Sequence, residues 1–348
     1  MNCFDIINNL RKMVEGEECC DDEFCKFLLK NECIYLLSKS EKFAPQLTMQ
    51  RALNSIMNNQ RYQTCKDVVT MLNGIPYAII KGAALSSRIY ENSAYRLSGD
   101  IDLLVSPNHS DKMKEILINN GFIQGRLVGN TIVPFTRKEL IYQKSFSHQL
   151  APFIKNTGKK ICPFVNIDVN FDIVWGEENF SIDMNEFLTH TESFEIHGVK
   201  ISRLQPIWEF ISLCMHHYKD MNSVYLIAER GFRLSEYCDI FFYLINASPN
   251  ATELTSVAKR YGVDKYVYYC IYYANEIFDD QRLSVYLNKL ESMEARKLLN
   301  CYGLTEVERR EWNMPFFERL LDDRFRDRFC LHLTEKERRK IQINRRLM

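Results

Sequence analysis

The chain has 348 residues, which at roughly 150 residues per domain predicts about two domains. Hydrophobic residues make up 46% of it, enough for a sizeable core, and 45 Lys plus Arg balance 45 Asp plus Glu. That balance excludes a protein that captures polyanions by overall charge, and no uninterrupted apolar run approaches the ~18 residues needed to span a bilayer.

From about residue 4 to 72 the apolar residues recur at helical spacing, as in CKFLLKNECIYLLSKS and MQRALNSIMNN, so residues 1–72 are expected to form a helical N-terminal region. Asn73 and Gly74 stop the last helix, and IPYAIIKG (75–82) is a short strand followed by the helix GAALSSRIYE. A second strand, YRLSGDIDLLV (95–105), leads into SPNHSDKMKEILINNGF, a turn and an amphipathic helix capped by Asn108 or Ser110 and stopped at Asn120 and Gly121. Residues 122–175 are expected to hold further strands, QKSFSHQLAPFIK and CPFVNIDVNFDIVW, separated by the turn NTGKK. After Ile201 the pattern is helical almost to the end. The expected architecture is therefore α/β (α+β): a core over 73–200 with a short mixed sheet, flanked by a helical region over 1–72 and another over 201–348.

Twelve cysteines, including the pair Cys19 and Cys20, show no Cys-x-x-Cys or zinc-type Cys/His spacing. The N-terminus lacks the features of a signal peptide. The cysteines are read as reduced, in a cytoplasmic protein with no membrane partner. The tail EKERRKIQINRRLM has six Lys or Arg against two Glu. It is read as a solvated helix end or, alternatively, as an anchor for an anionic partner.

Within YRLSGDIDLLV, Asp100 and Asp102 share one strand face while Ile101, Leu103 and Val105 share the other. Two like charges side by side call for a cation between them, and a divalent ion such as Mg²⁺ or Mn²⁺ is the natural choice. A third carboxylate is expected from CPFVNIDVNFDIVW, where Asp168 and Asp172 point the same way. They lie about 13 Å apart, so only one can join the site. Three such carboxylates suit metal-assisted nucleotidyl transfer: NMP moves from an NTP to a hydroxyl or phosphate acceptor and pyrophosphate leaves. A phosphate cradle is expected at IIKGAAL, where Gly82 allows close approach, the amides of Gly82, Ala83 and Ala84 open a helix, and Lys81 supplies charge. Arg96 and the backbone of Ser98 and Gly99 are placed beside it.

IIKGAAL (79–85) and RLSGDIDLLV (96–105) resemble the "LKGAAL" and "R-x-S-GDIDLLV" segments of a bacterial nucleotidyltransferase family in the DNA polymerase β-like superfamily. ISLCMHHYKD (211–220) and CDIFFYL (238–244) are similar to its helical C-terminal half. The resemblance implies metal ligation by Asp100, Asp102 and a third acid, with an NTP such as ATP as substrate. The family's His-Trp after the third acid is best matched by Asn170-Phe171, which makes Asp168 the preferred third carboxylate and base. The rival match uses Trp175, points to Asp172 and leaves Val174 in place of the histidine. The superfamily's Gly-Ser is here Gly82-Ala83, so backbone amides must do more of the phosphate binding. By the same resemblance Lys219 is a basic residue for the triphosphate, unless it pairs with Asp239; His216 and His217 lie beside it, and His148 is given no role. The acceptor is left open between a small molecule, a peptide or protein, and an RNA end. A toxin-type transferase acting on tRNA or a protein hydroxyl, and a non-catalytic nucleotide-binding scaffold, are the alternatives.

Overall fold

The computed structural model describes residues 2–17, 21–40, 42–96, 98–146, 148–175 and 180–347. Cys19, Cys20 and Met348 lie outside the described residues, as do the side chains of 343–347 in the basic tail. The chain divides into two compact units, Met1–Thr48 with Leu213–Arg346, and Met49–Ser212 with Leu347–Met348.

In chain order, helices α1 (Cys3–Glu15), α2 (Asp22–Lys30), α3 (Ile34–Leu37) and α4 (Ala44–Met71) precede strand β1 (Tyr77–Ile80). Helix α5 (Gly82–Ile89), strand β2 (Asp100–Val105) and helix α6 (Ser110–Asn119) follow, then β3 (Ile123–Val128), β4 (Thr131–Pro134), α7 (Arg137–Phe146), β5 (Phe153–Asn156) and β6 (Phe164–Asn170). A short helix α8 (Met184–Phe187), the hairpin β7 (Thr191–Ile196) and β8 (Val199–Leu204), and helix α9 (Pro206–Asn222) complete this stretch. The rest is mainly helical, with α10 (Val224–Arg230), α11 (Leu234–Phe242), α12 (Ala251–Arg260), α13 (Asp264–Phe278), α14 (Ser284–Leu290), α15 (Met293–Leu298) and α16 (Phe316–Leu321) the α-helices before residue 322. The fold is thus mixed α and β, with a mixed sheet among many helices, and no described helix is long and apolar enough to cross a membrane.

Six strands form one sheet in the order β1-β2-β6-β5-β3-β4. Only the β2–β6 pair is parallel; β1 and β5 flank it antiparallel. The apolar face of β2, Ile101, Leu103 and Val105, meets that of β6, Val165, Ile167 and Val169, in a core with Tyr62, Cys65 and Val68 of α4, Ala83 and Ala84 of α5, and Met113 and Leu117 of α6. Alternation in both strands leaves their polar residues on the other face, as period-two patterning requires. Each of those β2 and β6 side chains is 3% exposed or less, so a one-residue slip of either strand would bring acidic residues into this core.

Two local expectations differ. Helix α6 starts at Ser110 with His109 as its N-cap and no side-chain cap; the Ser110 hydroxyl instead donates to the Pro107 carbonyl at 2.8 Å. Residues 143–146 of QKSFSHQLAPFIK lie in α7 rather than in a strand. The reason is a reciprocal capping box: the Thr136 amide and hydroxyl donate to Glu139 Oε2 at 2.7 Å, and the Glu139 amide donates to Thr136 Oγ1 at 3.4 Å. The strand begins later, at Phe153.

The β7–β8 hairpin is tied to α5 by charge. The Arg88 guanidinium donates to Glu192 Oε1 at 2.8 Å and to the Leu204 carbonyl at 2.9 Å, and forms an ion pair with Glu209 of α9. Arg203 adds a 2.8 Å bond to the same Glu192 oxygen. These pairs anchor the last turn of α5, and so fix where its first turn points.

The first unit is packed through aromatic contacts, with Phe241 of α11 stacked on Phe278 of α13 at 4.2 Å and Tyr218 of α9 against Tyr266 and Tyr269 of α13. The ten described cysteines are free thiols and most are buried.

Candidate active site

The parallel register of β2 and β6 pairs Asp102 with Asp168 and Asp100 with Asn166. Register partners in adjacent strands share a face, so Asp100, Asp102 and Asp168 lie on one side of the sheet. Asp172 lies outside that register. Strand β6 ends at Asn170, and the Asp172 carboxylate turns back to accept the Val174 amide at 2.9 Å.

Burial pushes the Asp172 carboxyl up to about 6, against the backbone amides of Val174 and Ile173, which pull it down. Its folded value lies above the ordinary one of about 3.9, so ionisation costs stability at neutral pH and protonation restores it as pH falls from about 7 toward 4. Asp172→Asn is expected to stabilise the protein at pH 7 to 8 by no more than about 3 kcal/mol and to give no gain near pH 4. Urea unfolding of the two proteins across that range measures this.

Asp102 is 6% exposed, and its Oδ1 receives the Lys81 ammonium at 2.8 Å and the Asn170 side-chain amide at 3.3 Å. Lys81 is thus a positive charge placed directly on this carboxylate. Antiparallel pairing of β1 with β2 sets Ile80 opposite Asp102, which delivers the next residue, Lys81, to the carboxylate. Asp100 is titrated upward first by its own burial and then by Asp102, while Lys81, Arg96 and Arg61 pull it down. The two aspartates therefore repel, and three basic side chains offset them.

Lys81 has φ 60° and ψ −157°, a backbone region populated almost only by glycine and costing about 1–3 kcal/mol for other residues. Strain of this kind persists where the surroundings enforce it, and here it aims the ammonium at Asp102. Gly82 also has positive φ, 54°, and a Cβ placed on it would meet Ser98 Oγ at 2.9 Å. That hydroxyl donates to the Asp100 carbonyl at 2.8 Å, so Ser98 links the start of α5 to the start of β2. Of the three amides expected to face phosphate, that of Ala84 already hydrogen-bonds the buried Tyr62 hydroxyl; Gly82 and Ala83 remain at the helix start.

Gly82→Ala is expected to cost about 1–2 kcal/mol from positive φ together with displacement of Ser98 Oγ. In a Ser98→Ala background the clash vanishes and only the conformational part should survive, which a double-mutant cycle of urea unfolding separates.

Among the described residues no three His, Cys, Asp or Glu side chains converge closely enough to hold a metal ion as they stand. The donor set nevertheless fits one. Asp100, Asp102 and Asp168 offer only carboxylate oxygens, suited to a hard cation such as Mg²⁺ or Mn²⁺, and a cation of the protein's own already rests on Asp102.

Arg96 lies within electrostatic reach of Asp100, while Gly99 is exposed at the loop before it. Lys219 belongs to the first unit and lies near the C-terminal end of α9. On the same helix, His217 Nε2 faces Asp239 Oδ2 at 3.5 Å and His216 Nε2 faces Asp220 at 3.6 Å. His148 contributes its backbone carbonyl, which accepts the Phe171 amide at 2.9 Å and extends the sheet beyond β6.

Arg61 and Asn170 were not legible as site residues. Arg61, on α4, is 6% exposed; its Nη1 donates to Asn58 Oδ1 at 3.2 Å, and among the described residues its Nε has no hydrogen-bond partner. Its one sequence signal is a position beside the apolar stripe Tyr62, Cys65, Val68 and Leu72 with no acid three or four residues away.

The family profile described as "Uncharacterised nucleotidyltransferase" matches residues 34–279. No curated protein and no solved structure matches the chain significantly. The match takes in β1, α5, β2 and β6, which carry Gly82, Asp100, Asp102 and Asp168, and Lys81 between β1 and α5. The chain accordingly belongs to this uncharacterised nucleotidyltransferase family and is a transferase of nucleotidyl groups.

Proposed function

We propose that the protein transfers an NMP from an NTP to a hydroxyl or phosphate acceptor, with a polymerase β-like core and Asp100, Asp102 and Asp168 as its acidic centre. The observation that carries this reading is the β2–β6 register, which sets Asp168 abreast of Asp102 at the level of the Lys81-Gly82 turn.

Asp100, Asp102 and Asp168 would hold Mg²⁺, which when bound neutralises charge on the α-phosphate and on the departing pyrophosphate. The amides of Gly82 and Ala83 receive phosphate oxygens at the start of α5, where the helix dipole favours anions. Lys81 exchanges its carboxylate partner for a phosphate oxygen when the triphosphate arrives. Arg96 and the Ser98-Gly99 backbone flank the phosphates from the β2 side. Asp168 takes the proton of the acceptor hydroxyl as its oxygen bonds the α-phosphorus and the bond to pyrophosphate breaks. No covalent enzyme intermediate is needed; positioning and charge neutralisation carry the rate.

The test is incubation with each labelled NTP, Mg²⁺ and a cell extract. Label should pass to one acceptor class, with stoichiometric pyrophosphate, and Asp102→Asn should stop it. Transfer that proceeds equally well in folded Asp102→Asn protein would overturn the reading.

A further inference from the structure

We propose that the first unit contains an oxyanion site, built on Arg319, for a small carboxylic or phosphoric acid with a flat apolar body. Arg319, on α16, is 3% exposed. Its guanidinium carbon lies 4.4 Å from the ring centre of Trp312, 5.6 Å from Phe232, 5.7 Å from Phe316 and 5.8 Å from Tyr273. Its hydrogen bonding is sparse. Nη2 donates to the Tyr273 hydroxyl at 3.4 Å, and that hydroxyl in turn donates to the Leu299 carbonyl. Among the described residues Arg319 Nε and Nη1 have no hydrogen-bond partner, and neither does the indole Nε1 of Trp312.

A guanidinium is never deprotonated in this setting, so burial leaves a full charge to be compensated. Contacts with the ring faces compensate part of it. They leave the unsatisfied N–H groups untouched, because a π face around the cation does not supply in-plane acceptors for its fork. A carboxylate or phosphate oxygen would satisfy the charge and the donors together.

The space for such a group is present. A cavity of about 490 Å³ is bordered by Arg319, Trp312, Tyr273, Phe316, Asn300 and Asn313, within the size range of small-molecule sites. Aromatic walls select a planar body, the two asparagines add polar contacts, and Arg319 fixes the acid. Glu276 also borders the cavity, bonded to Tyr272, and its exposed carboxylate opposes an incoming anion. Asn300 to Arg319 lie beyond the residues matched to the family, and the inference does not depend on the nucleotidyl-transfer site.

Calorimetric titration of the full chain with benzoate, phenyl phosphate, acetate and inorganic phosphate tests it. An aromatic acid should bind and raise the melting temperature, with the same ring lacking its acid group, benzyl alcohol, at least about tenfold weaker, as expected for loss of a charge-assisted hydrogen bond. Preference for benzoate over phenyl phosphate, or the reverse, identifies the oxyanion. Arg319→Met should abolish binding. Glu276→Gln, at an exposed position that tolerates substitution, should tighten it about two- to fivefold. Absence of binding by all four acids, or Glu276→Gln protein that binds them no more tightly than the wild type, would show that the aromatic box holds Arg319 for packing alone.

Discussion

Asp102→Asn and Asp100→Asn are each expected to lower Mg²⁺-dependent pyrophosphate release by about a hundredfold or more, the scale of losing one charge-stabilising group in a preorganised site. Their effects on stability should differ. Asp102 is the partner of a Lys81 ammonium that is itself mostly buried, so Asp102→Asn leaves that cation against a neutral amide and should cost about 3 kcal/mol. Asp100 is the member of the pair held above the usual carboxylate range, by burial and by Asp102. At pH 7 its ionised form works against folding, and the wild type gains stability as pH falls through the raised value toward the ordinary one. Asp100→Asn should therefore be as stable as the wild type or more so at pH 7, with a flatter acid limb. Urea titrations at pH 5 and 8 beside a pyrophosphate assay separate the two roles. Equal destabilisation by both substitutions would mean that the acids act as a structural pair.

Lys81 is the position where charge and backbone strain can be pulled apart. Lys81→Ala removes the ammonium, keeps a non-glycine residue at φ 60°, and leaves Asp102 buried without its cation, an expected loss of about 3–5 kcal/mol. Lys81→Gly removes the same charge but releases about 1–3 kcal/mol of backbone strain, set against up to about 1 kcal/mol of extra chain entropy in the unfolded state. The glycine variant should thus be the more stable by roughly 1 kcal/mol. Both should be stabilised by millimolar Mg²⁺ more than the wild type is, because the carboxylates then have no internal cation. Thermal melts of the three proteins with and without Mg²⁺ measure this. Variants indifferent to Mg²⁺ would count against a metal at this site, whatever their order of stability.

A great deal of the core was legible in local pattern. The alternation Asp100, Ile101, Asp102, Leu103 and its counterpart in β6 is written in adjacent residues, and period-two burial follows from strand geometry whatever the partner. The glycine at 82 and the helix after it are equally local, since positive φ and helix initiation depend on a few neighbouring residues. By contrast, QKSFSH alternates like a strand, yet the Thr136–Glu139 box upstream draws its first residues into a helix.

What the sequence by itself determined, then, is which side chains share a face and where the chain turns. Pairing across distance was decided only in the folded state. Asp102 and Asp168 stand 66 residues apart in the chain, and burial of Ile101, Leu103, Val165 and Ile167 in one core sets the register that brings Asp168 alongside and leaves Asp172 past the strand end. The Lys81–Asp102 ion pair, the approach of Arg61 and the aromatic box around Arg319 are likewise tertiary. Each depends on where separate elements pack, and a charged side chain in a sequence carries no mark of the neighbours that packing will give it.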